Sequence, residues 1–81
     1  MLYLIDKPHE DIGLRTARAD EEAVVVLIQD GVLLEPDIDA EVYAVSRDVE
    51  IRGVDLPAGI EPIEYDALVD RLFETEVKTF V

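Results

Sequence analysis

Residues 23–28 read Ala-Val-Val-Val-Leu-Ile, an unbroken apolar run with three β-branched valines at its centre. It lacks both the alternation of a strand with one wet face and the spacing of an amphipathic helix. A strand apolar on both sides has to be covered on both sides, as happens in a parallel sheet flanked by helices. The run is therefore read as the central strand, and the rest of the chain has to supply its neighbours and its cover.

Leu2–Ile5 is a short apolar strand closed by Asp6-Lys7-Pro8. His9–Ala19 predicts a short, weak helix, with Gly13 inside it and Ile12, Leu14, Ala17 and Ala19 available for a core face. After Gln29-Asp30-Gly31 an irregular connection with at most one helical turn runs to Pro36 and the acids Asp37, Asp39 and Glu41. Glu41–Ser46 predicts a third strand, and Arg47–Arg52 a short helix stopped by Gly53. Ile60–Ile63 is a brief strand that Pro62 demotes toward a sheet edge or a short pairing. Tyr65–Glu76 carries the strongest helical pattern, with Tyr65, Leu68, Val69, Leu72 and Phe73 at helical spacing and Asp66 in the first turn. Val77–Val81 completes the set as a last strand. The expected architecture is a single domain over 1–81: a compact three-layer α/β/α fold with a mainly parallel five-stranded sheet and short or trimmed helices.

Charge now limits the partners. The chain has 20 Asp and Glu against 7 Lys and Arg, a formal charge of -13, yet 49% of its residues are of hydrophobic type. That much apolar surface drives collapse where a merely charged chain would stay disordered. Nucleic-acid binding calls for a clustered basic face, which scattered cations do not form, so direct contact with nucleic acid is not expected. Lysine occurs only at positions 7 and 78, and the polar surface is built almost wholly from carboxylates. Molar salt shortens the Debye length to about 3 Å and screens such self-repulsion, so the expected source is salt-loving and haloarchaeal. No segment reaches membrane-spanning length and no leader is apparent, so a cytoplasmic protein is expected. A domain this small buries only roughly 60 to 65% of its unfolded surface, which favours oligomerisation.

With no cysteine in the chain there is no disulfide, no thiolate metal cage and no persulfide carried here. One histidine, His9, and one serine, Ser46, share no catalytic motif. Asp37 and Asp39 lack the loop pattern of a calcium site and read as solvated charge. The four glycines are too dispersed for a phosphate-cradling loop. The expectation is a non-enzyme without cofactor or metal. The segment that invites a functional reading is Gln29-Asp30-Gly31-Val32 at the carboxyl end of the central strand, where ligands and partners of open α/β sheets gather. Locally, Gly31 is expected to take a positive φ and Asp30 to cap the turn. Arg47 and Arg52 occupy the matching end of the next strand, and arginine is the preferred cation for partly buried pairs.

At these residues the sequence resembles the DsrH/TusB branch of the DsrE-like sulfur-relay proteins. The likeness lies in Met1–Ile5 with Lys7-Pro8, in Leu27–Val32, in Val42–Val45 with Asp48 and Arg52-Gly53, and in Ile63 with Tyr65-Asp66 and Val69. Order and spacing agree over nearly the whole chain. The resemblance implies a five-stranded α/β/α sheet and assembly with homologous DsrE-like subunits, one of them bearing a reactive cysteine. In TusB relatives the sulfur is destined for 2-thiolation of the tRNA wobble uridine, and in DsrH relatives it belongs to sulfur oxidation. Here the first helix has no cysteine near Thr16-Ala17-Arg18, and the segment after Gly31 is short. The expected role is a non-catalytic subunit that contacts its partners through Gln29, Asp30, Gly31, Arg47 and Arg52. A stand-alone interaction module, such as a homodimer that kept the fold without the relay, is the alternative.

Overall fold

The computed structural model describes residues 1–81. Five strands, β1 (Leu2–Ile5), β2 (Val24–Leu27), β3 (Glu41–Val45), β4 (Ile60–Ile63) and β5 (Val77–Phe80), form one sheet in the order β4-β3-β2-β1-β5. Every pairing is parallel. Three α-helices, α1 (Glu10–Arg18), α2 (Ser46–Arg52) and α3 (Tyr65–Glu74), connect them. The chain steps from β1 to β4 in one direction and then crosses back to place β5 beside β1. Right-handed crossovers then put α1 and α2 on one face and α3 on the other, which gives the three layers.

The period of two along each strand divides the core between these faces. Tyr3, Ile5, Val25, Leu27, Val42 and Ala44 point to the α1 side and pack with Leu14 and Ala17 of α1 and with Val32 and Leu34 of the β2–β3 connection. Leu2, Val26, Val45 and Ile63 point to the other side and meet Leu68 of α3. Val25, Val26 and Leu27 are completely buried, as expected of a central strand. Ile12 of α1 is exposed instead of joining the core; the buried face of that helix is Gly13, Leu14 and Ala17.

Helix ends follow local chemistry. Gly53 adopts the left-handed conformation at φ 62°, and the Val54 N–H donates to the Val49 carbonyl at 3.1 Å, so α2 closes with the glycine stop that a Cβ would disfavour. Helix α3 ends at Glu74, two residues before the predicted Glu76, because Thr75 is already extended at φ -145°. Between β2 and β3 no α-helix forms; a 3-10 segment, Gln29–Leu33, and an irregular stretch to Ala40 replace it. The sheet edges differ: β4 carries Pro62, which withholds a ladder donor, while β5 carries the exposed Lys78. No helix is long and apolar enough to cross a membrane.

Candidate functional site

The carboxyl end of β2 meets the start of α2 in a closed network of charge. Arg52 Nε donates to Asp30 Oδ1 at 2.9 Å, and its Nη1 lies 3.4 Å from Asp48 Oδ1 one helical turn earlier. Asp48 turns its other oxygen to the Gln29 backbone, accepting that N–H at 2.8 Å. Asp48 therefore links the β2 loop to α2 directly, while Arg52 bridges the same two segments by charge. The hydrogen bond that Arg52 donates to Asp30, followed by the charges of Asp30, Asp48 and Asp6, raises the Arg52 pKa further and keeps the guanidinium cationic. Arg52 is 24% exposed and Asp30 60%, so one member is half-sheltered and the other faces water.

Backbone geometry in this loop differs from the turn expected of the sequence. The positive φ belongs to Gln29, at 51°, and not to Gly31. A non-glycine residue holds this conformation here while Asp48 anchors its N–H. Gly31 is required for space: a Cβ on it would run into the carbonyl oxygen of Ile5, at the end of the neighbouring strand. Its N–H donates to the Ile28 carbonyl at 2.8 Å, and Ile28 in turn donates to Ile5. Asp30 does not cap the turn; its carboxylate is engaged by Arg52.

Four of the five residues singled out from sequence, Gln29, Asp30, Gly31 and Arg52, come together at this point. Arg47 lies on the exposed side of α2 and makes no ion pair. The residue missing from the set was Asp48, although its spacing of four from Arg52 on a helix was the available signal.

Elsewhere the reactive side chains stand apart from any convergent site. His9 is exposed just ahead of α1 and its side chain caps nothing. Ser46 is buried at the first position of α2. No three His, Asp or Glu side chains gather as a metal-ligand set. A cleft of about 330 Å³ between α1 and residues 34–37 is lined by both signs of charge, including Glu10, Asp11, Arg15 and Arg18. Arg18 donates there to the Asp37 carbonyl at 3.2 Å. At the amino ends of the strands Asp20 accepts from the Tyr3 hydroxyl at 3.0 Å and the Glu22 N–H at 2.9 Å, with the Met1 amino group 3.3 Å away. The Glu22 N–H first, and the Tyr3 hydroxyl next, hold its carboxyl below the usual carboxylate range. These contacts fasten β1 to the α1–β2 turn, and Asp20 also borders a cavity of about 430 Å³ shared with Arg18, Glu21, Asp37 and Asp39.

The sequence matches no protein-family model, and no curated protein matches it as a relative.

Proposed function

We propose that this chain is a non-catalytic, cytoplasmic subunit of a sulfur-relay assembly of the DsrH/TusB kind. It presents a fixed surface to homologous subunits while one of them carries the persulfide. The observation that carries this reading is the Asp30–Arg52–Asp48 network. The two most specific stretches of the resemblance, residues 27–32 and the segment with Asp48 and Arg52-Gly53, interlock through it. A five-stranded parallel α/β/α sheet is also the architecture that the resemblance implies.

In this role the network fixes a loop so that Gln29 and Asp30 stand outward, with Arg47 nearby on α2, at the sheet end where open α/β folds receive partners. Preorganisation lowers the ordering cost of association. The sulfur stays on the partner's thiol, because this chain has no cysteine to accept it. If the relay ends on tRNA, a surface of -13 leaves contact with the RNA to another component.

The test is co-expression with a cysteine-bearing DsrE-like protein of the same organism, purification in molar KCl, and measurement of complex mass and persulfide transfer. The expected result is a stable complex that Gln29→Arg and Arg47→Glu weaken, since both side chains are exposed and make no hydrogen bond or ion pair within the fold. Absence of a complex, or a discrete homodimer indifferent to the second protein, would overturn the proposal and favour a stand-alone module.

A further inference from the structure

The two faces of the sheet are covered unequally. A helix is about 10 Å across and strands are spaced about 4.8 Å apart, so one helix shelters two strands. On one face α1, α2 and the β2–β3 connection lie over the sheet, and Tyr3, Ile5, Val25 and Leu27 are buried beneath them. On the other face α3 stands alone against five strands. Leu4 of β1 and Ile28 at the end of β2 point to this side and stay only half-buried, although both belong to interior strands.

Helix α3 has an apolar flank that its own sheet does not use. Leu68 and Leu72 point inward. Arg71 occupies one flank, where its guanidinium lies 4.8 Å from the centre of the Tyr43 ring and donates to the Tyr43 hydroxyl at 3.2 Å. At about 100° per residue, Tyr65, Val69 and Phe73 form a row on the opposite flank, the one turned away from β3. They are 61%, 41% and 87% exposed. Each is followed at once by an acid, in the pairs Tyr65-Asp66, Val69-Asp70 and Phe73-Glu74. An apolar row with an acidic outer border therefore overlooks the uncovered part of the sheet.

We propose that this exposed face seats an amphipathic helix of a different protein, one whose apolar stripe is bordered by Lys or Arg. A helix is the element that completes a half-covered sheet layer, and the repeated acids determine which kind. A second copy of this chain is the wrong occupant: pairing α3 antiparallel with itself about Val69 sets Tyr65 opposite Phe73 and runs the two acidic borders, each of Asp66, Asp70 and Glu74, side by side. Basic residues at the same border are attracted by it. This inference stands on α3 and the sheet alone and does not depend on the sulfur-relay reading.

The test uses three fluorescent helical peptides: a Leu/Ile stripe bordered by Lys, the same stripe bordered by Glu, and a Lys-matched peptide with the stripe scrambled. Anisotropy titrations are run against the full chain and against Val69→Asp, Phe73→Ser and Ile51→Ser, with circular dichroism confirming that each variant is folded. Saturable binding of the Lys-bordered peptide is expected, at least about tenfold tighter than either other peptide. Val69→Asp and Phe73→Ser should each abolish that preference. Ile51→Ser, an exposed apolar site on α2 across the sheet, should preserve it. Equal binding of the scrambled peptide, absence of binding, or loss with Ile51→Ser would overturn the proposal. So would a concentration-dependent dimer of the chain that Val69→Asp dissociates.

Discussion

The carbonyl oxygen of Ile5 lies so close to the α-carbon of Gly31 that no side chain fits between them. Backbone on both sides closes the space, so no rotamer change can relieve a substitution. Gly31→Ala should therefore cost about 3 kcal/mol or more in denaturant unfolding, the upper range of overpacking. Gly53→Ala is a useful contrast, since nothing lies within 4 Å of that position and only its φ of 62° is unfavourable. A loss of roughly 1 kcal/mol is expected there. Equal costs at the two sites would contradict the close approach.

Acid stability should show the contribution of Asp20. Its folded pKa is depressed, so the unfolded chain binds the proton more readily, and the stabilisation is present above about pH 4 and lost as pH falls through the folded value. The difference between the wild type and Asp20→Asn isolates the local effect. Unfolding free energies measured over the acid range should differ near neutrality and converge at the lowest pH.

Only Asp20, Asp30, Asp48 and Glu41 of the 20 carboxylates have an ion-pair partner. Raising KCl from about 0.1 M to 2 M shrinks the Debye length from roughly 10 Å to below 3 Å and should raise the melting midpoint. A midpoint that does not rise would remove the argument for a salt-loving source.

Two substitutions in α3 should separate its packing from its surface. Leu68 is buried against Val26, Val45 and Ile63, so Leu68→Ala should cost about 2 to 4 kcal/mol. Phe73 is almost fully exposed, and Phe73→Ser should change stability by less than about 0.5 kcal/mol. Thermal or urea unfolding of both variants provides the comparison.

The same helix shows where reading the sequence reaches its limit. Periodicity placed Tyr65, Leu68, Val69, Leu72 and Phe73 on one broad stripe. How much of a stripe becomes core depends on how much sheet lies under it, which no local pattern encodes. The central strand was legible because Ala23–Ile28 is apolar on both sides, and the edge position of β4 because Pro62 withholds an amide. Gly53 was legible as a helix stop for an equally local reason. Gly31 was recognised as important for the wrong reason, since its constraint comes from a residue on another strand. The anchoring of Gln29 by Asp48 spans two elements in the same way. Local chemistry is written in neighbouring residues, whereas close approach and charge networks emerge only when distant segments meet.

Strands β1 and β5, far apart in the sequence, lie side by side in the fold, with Leu2 opposite Val77 and Ile5 opposite Phe80. Until residues 77–80 arrive, β1 has an open edge and its row of amides lacks partners. Such a pairing gives little in return for the loop it closes until the intervening segments are in place, a long-range contact of the kind that slows folding. The strand that completes the sheet is thus also its timekeeper, and removing residues 77–80 should leave a chain with most of its sequence and no stable native state.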